Sequence, residues 1–126
     1  MWRSFNENPD GNRVGDCTIR AISTLLDQPW EQTAVEMFVQ SFIMRSIMSE
    51  NAVWGAYLYG KKYRRGTFED ICPSCYTVRD FCREHPNGRY LLAISGHVVA
   101  VIDGDYYDTW DSGDELPVYY WEKKEE

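Results

Sequence analysis

No stretch of the 126-residue chain approaches the roughly 18 consecutive apolar residues that a membrane-spanning helix needs. A membrane is therefore not an expected partner. The first residues, Met1-Trp2-Arg3-Ser4, carry no apolar run of the kind found in a secretory leader. Basic charge is scarce: 13 Lys and Arg stand against 20 Asp and Glu, for a net charge of −7. Nucleic acid, which recruits a basic face, is not an expected partner either. Only four cysteines and two histidines are present, so thiol, imidazole or metal chemistry has few residues to use. With no leader the expected location is the cytoplasm. In that reducing compartment the cysteines are expected as thiols or metal ligands rather than disulfides. No internal repeat or low-complexity stretch is visible.

What is present is ample apolar content. Hydrophobic residues make up 44% and aromatic residues 15%, which argues against disorder. The length suits one domain, 1–126, that buries enough surface to fold without a staple. Gly15-Asp16-Cys17-Thr18-Ile19-Arg20-Ala21 reads as the start of a helix. Asp16 is the expected N-cap, and Ile19, Ile22, Leu25 and Leu26 keep helical spacing. Cys17 then lies in the first turn, where free N–H groups and the helix dipole favour a thiolate. The same N–H groups suit an oxyanion, and the side-chain amide of Asn12 is a candidate second donor. The plain alternatives are that Cys17 fills space and Asn12 completes a turn.

Residues 1–16 are polar and turn-rich and read as a loop. Helix one is expected over 17–26, ended by Asp27-Gln28-Pro29, with Pro29 in the first turn of helix two. There Val35, Phe38, Val39, Phe42, Ile43 and Ile47 hold an i, i+3, i+4, i+7 pattern, the expectation being a core-facing stripe. Asn51 is the expected cap of a third helix with Val53, Trp54, Tyr57 and Leu58 on one side. The basic run Lys61 to Arg65 reads as a solvated surface segment.

Cys72, Cys75, Cys82 and His85 form C-x2-C-x6-C-x2-H, a usable set for a tetrahedral structural zinc. Thr77 to Asp80 resembles a capping box, so Cys82 and His85 share a helix face. Redox use of the CxxC, or core packing of Cys82 with His85 capping the helix end, are the alternatives.

From Arg89 the period changes to that of strands. Tyr90 to Ile94 and His97 to Ile102 are buried runs, and Asp103-Gly104 is a strong hairpin signal. Asp105 to Trp110 returns, and Pro117 to Trp121 forms a last strand. The class is α+β: N-terminal helices, with the nucleophile at the start of the first, packed on a C-terminal antiparallel meander. A two-residue turn at Asp103-Gly104 places Val99 opposite Asp108 and sets Asp108 diagonal to His97. A three-residue turn slips the register and brings Asp111 instead. Either carboxylate would orient the imidazole, and Trp110 beside the pair would shield it from water.

The order of cysteine on an N-terminal helix, histidine opening a strand and carboxylate on the next strand resembles the papain-like cysteine peptidase superfamily. Gly15-Asp16-Cys17 is similar to its nucleophile segment, Gly96-His97-Val98-Val99-Ala100-Val101 to its histidine strand, and Asp108-Thr109-Trp110 to its Asn-Ser-Trp. More closely, the chain resembles small uncharacterised proteins of bacterial and prophage genomes. They share Gly-Asp-Cys-x-x-Arg-Ala, Cys-Pro-x-Cys-Tyr-Thr-Val, and His-Val-Val-Ala-Val through Asp-Thr-Trp-Asp-Ser-Gly. The resemblance implies a minimal papain-like fold and a Cys17-His97-Asp108 triad acting on peptide or isopeptide bonds without a catalytic cofactor. It departs from papain in having no upstream Gln for the oxyanion. Acyl transfer by the same triad, as in transglutaminase-like relatives, is one alternative. A non-enzymatic binding or inhibitor module is the other, with an acidic C-terminal half and surface aromatics at Tyr106, Tyr107, Tyr119, Tyr120 and Trp121 for a basic partner.

Overall fold

The computed structural model describes residues 1–6, 16–47, 50–68 and 76–124. A six-stranded mixed sheet runs through the centre in the order β1-β5-β4-β3-β6-β2. Its strands are β1 (Trp2–Ser4), β2 (Tyr63–Thr67), β3 (Arg89–Ile94), β4 (His97–Ile102), β5 (Asp105–Asp108) and β6 (Tyr119–Lys123). Helices α1 (Cys17–Leu26), α2 (Trp30–Met44) and α3 (Asn51–Gly60) precede β2, and α4 (Val78–Glu84) precedes β3. The class is α+β, as the change of period predicts.

β3 and β4 are apolar at successive positions because both faces of the sheet are covered. Leu91, Ala93, Val98 and Ala100 face a cluster built with Ile22, Leu25, Met37, Trp54 and Leu58 of α1, α2 and α3. Leu92, Ile94, Val99 and Val101 face Val78, Phe81 and Cys82 of α4. The alternation is the two-residue period of a strand. α1 matches its expected span, and the Arg89 side chain donates to the Leu25 carbonyl at 2.6 Å, satisfying one of the carbonyls a helix end leaves open. The capping box at Thr77 and Asp80 is formed. Val53, Trp54, Tyr57 and Leu58 of α3 are buried together.

Several expectations are corrected. The meander is incomplete: β3, β4 and β5 are consecutive neighbours, but β6 crosses over to pair antiparallel with β3. Trp2–Ser4, expected as loop, is an edge strand parallel to β5. Most of the basic run is strand rather than solvated segment: β2 pairs with β6, and Tyr63 is buried. Arg64 and Arg65 lie over the rings of Tyr59 and Tyr119, each 4.0 Å from the centroid. Helix α3 starts without a side-chain cap. Asn51 instead accepts from Trp54 Nε1 at 3.1 Å. Pro29 sits at the N-cap of α2 rather than inside its first turn.

The largest correction concerns α2. Val35, Phe38, Val39, Phe42, Ile43 and Ile47 are all exposed, Phe42 to 75%. The helix buries Thr33 and Met37. Polar anchors fix this rotation. Ser23 Oγ donates to Thr33 Oγ1 at 2.8 Å, and Gln28 Nε2 donates to Thr33 Oγ1 at 2.8 Å and to the Tyr57 hydroxyl at 2.9 Å. A buried hydroxyl left without a partner costs about 1–3 kcal/mol, so these bonds favour turning Thr33 inward. Periodicity identifies a stripe; it does not say which side the molecule covers.

Candidate active site

The β4–β5 turn decides the register of the site. Asp103 and Gly104 both have positive φ, 50° and 83°, as a two-residue type I′ hairpin requires. Ile102 pairs with Asp105 and Ala100 with Tyr107, so the next step brings Val99 towards Asp108. His97 Nε2 lies 2.6 Å from Asp108 Oδ2. Asp111, the alternative carboxylate, is used elsewhere: it accepts from the Tyr106 hydroxyl and from Gly113 N at 3.0 Å, and approaches Arg79 at 3.5 Å.

Asp108 is buried but well satisfied. Besides His97, its Oδ2 accepts from Ser112 Oγ at 2.9 Å, and its Oδ1 accepts from Thr109 N at 2.8 Å. Its carbonyl accepts from Trp2 Nε1 at 3.2 Å and from Phe5 N at 3.0 Å. The residue is therefore clamped from both sides. With Nε2 committed to Asp108, Nδ1 is the imidazole nitrogen left for Cys17.

Cys17 is the first residue of α1. A hydrogen bond with the His97 side chain holds its thiol below the ordinary value near 9, against the upward push of burial. The His97 charge, the Val98 backbone and the Thr18 side chain act in the same direction as that bond. For His97, burial disfavours the cation. The hydrogen bonds to Asp108 and Cys17 outweigh it, and the imidazole is pushed up to about 9. Both shifts favour the proton on the ring over the proton on sulfur, the direction that makes a cysteine more nucleophilic near neutral pH. The Trp110 ring lies 5.3 Å from His97 at an interplanar angle of 36°, a cover on the ion pair.

The residue before Cys17 is held independently. Asp16 makes no side-chain cap to α1; its buried carboxylate instead accepts from Arg20 and, at 2.8 Å, from Trp30 Nε1. These contacts tie the start of α1 to the start of α2. A groove of about 460 Å³ opens beside the sulfur, walled by Trp54, Ile94, His97, Val118 and Tyr119. Thr18, Asn51 and Ser95 add polar groups to these walls.

Asn12, Cys72 and Cys75 lie outside the described residues. Cys82 packs in the core beneath α4, and burial pushes its thiol up to about 11. His85 stacks on Phe81 at 3.8 Å, with Nδ1 2.8 Å from the Phe81 carbonyl oxygen. Of the aromatics expected at the surface, Tyr106 is buried; Tyr107, Tyr119, Tyr120 and Trp121 are half-buried. Sequence reasoning missed Ser112 and the Asp16–Arg20–Trp30 anchor. Arg20, one helical turn after Asp16, was the available signal for the anchor; Ser112 carried none.

Comparison of the chain with protein-family models, curated proteins and solved structures finds no match.

Proposed function

We propose that the protein is a papain-like thiol hydrolase, most simply a cysteine peptidase. The observation that carries the reading is the hydrogen-bonded series Cys17, His97, Asp108, with the thiol lowered and the imidazole raised. The Cys17 thiolate attacks the carbonyl carbon of a peptide or isopeptide bond. The resulting oxyanion is held by the Cys17 N–H at the start of α1, and by Asn12 in the same reading. His97 gives its proton to the leaving amine, the C–N bond breaks, and a thioester remains. Water then loses a proton to His97 and attacks the thioester, releasing the acid and the thiol. Asp108 holds the ring in the required tautomer and stabilises its cation.

The test is alkylation by iodoacetamide at pH 6, read residue by residue. Cys17 is expected to label much faster than the other cysteines, and Cys17→Ala to abolish the fast phase. Equal, slow labelling of all four cysteines would overturn the reading. The acyl-transfer alternative shares the thioester and differs in what attacks it. Trapping of a labelled amine onto substrate protein, in excess over hydrolysis, would select it.

A structural zinc on Cys72, Cys75, Cys82 and His85 is a separate proposal. With Nδ1 of His85 on the Phe81 carbonyl, Nε2 is the ring nitrogen that would take the metal. One zinc per purified chain, and a lower melting temperature on chelation, are expected. Metal-free protein indifferent to chelator overturns it.

A further inference from the structure

Neither the groove nor the core accounts for the outward stripe of α2. Val35, Phe38, Val39, Phe42 and Ile43 stand on the side of the helix opposite Thr33 and Met37, and Ile47 continues them past its end. Each side chain is about half to three-quarters exposed and offers on the order of 100 Å². Together they form an apolar patch of roughly 600 Å², at the upper limit of what a monomer normally shows water. A standard interface uses about 800 Å² per partner, so the stripe with its polar rim matches one half of a dimer.

We infer that α2 pairs antiparallel with α2 of a second copy about a two-fold axis. The charges at the two ends of the helix select that occupant. Glu31 lies in the first turn and Arg45 is the C-cap, and both are exposed. Neither makes an ion pair with another side chain among the described residues. In an antiparallel pair centred between Phe38 and Val39, Val35 meets Phe42 of the second copy and Glu31 comes beside its Arg45. The symmetry makes each contact twice. A parallel pair would set Glu31 on Glu31 and Arg45 on Arg45. The surface is self-complementary only in the antiparallel sense, and a net charge of −7 per chain makes a copy bearing this apolar seam associate there rather than through its acidic faces.

The experiment is sedimentation velocity on the full chain at micromolar concentration, with circular dichroism confirming the fold of each variant. The wild type is expected to sediment as a dimer and Phe42→Glu as a monomer. Glu31→Arg is expected to weaken the dimer at least tenfold, because both ends then oppose like charges. The double variant Glu31→Arg/Arg45→Glu is expected to restore it. A monomeric wild type, a dimer that survives Phe42→Glu, or a charge-swapped pair no tighter than Glu31→Arg would each overturn the inference. Flotation of a monomeric wild type with phosphatidylcholine or phosphatidylglycerol vesicles would assign the stripe to a lipid surface instead.

Discussion

His97 donates Nε2–H to the carboxylate that ends the second strand of its own hairpin, with 2.6 Å between His97 Nε2 and Asp108 Oδ2. The contact is a consequence of the two-residue turn at Asp103-Gly104. One inserted residue there would move Asp108 to the other face of β5. Asp108→Asn keeps the shape and removes the charge that stabilises the imidazolium. Labelling of Cys17 at pH 6 is expected to fall by about 10²-fold or more. Rates within a factor of three of wild type would count against the role given to Asp108.

The proposed reaction should give a bell-shaped profile of kcat/KM against pH. The acidic limb reports formation of the Cys17 thiolate and is expected below 9, the ordinary thiol value. The alkaline limb reports loss of the His97 proton and is expected at about 9. Activity therefore rises as Cys17 ionises and falls as His97 is neutralised. Alkylation needs only the thiolate, so its rate should rise through the first limb and not decline at the second.

Trp30→Phe removes the indole N–H that donates to the buried Asp16 carboxylate. Leaving that acceptor short of one partner is expected to cost about 1–3 kcal/mol, read by denaturant melting. Labelling of Cys17 should slow as well, because the start of α1 loses its tie to α2. A melting curve and labelling rate unchanged from wild type would remove the anchor from the account.

Gly66 sits opposite Tyr120 across the β2–β6 pair, and a Cβ at this position would overlap the tyrosine ring. Gly66→Ala is expected to destabilise by about 1–3 kcal/mol through overpacking. The site lies away from this edge strand, so the intrinsic labelling rate of folded protein should not change. A variant as stable as wild type would show that the ring moves aside freely.

The sequence was informative where a local rule had no competitor. Asp103-Gly104 determined its turn, and the turn determined which of two aspartates faces His97. The unbroken apolar runs of β3 and β4 identified central strands. It was misleading at α2, where the strongest helical stripe points away from the core. Ser23, Gln28 and Thr33, three polar residues with no pattern of their own, set the rotation instead. It was silent on β1 and on the crossover of β6. Pairing between distant edges depends on which strands remain open after the central hairpin forms, and no local periodicity records that. The clamp on Asp108 was hidden for the same reason, since Trp2 and Phe5 reach it from the far end of the chain.

That clamp has a consequence for biogenesis. The sulfur belongs to α1, the imidazole beside it to a strand made eighty positions later, and β5 is buttressed by β1. A nascent chain still short of β5 thus carries an ordinary, sluggish thiol. In the proposed reading the thiol gains its reactivity only with completion of the sheet, which spares the translation machinery a nucleophile that has no fold around it.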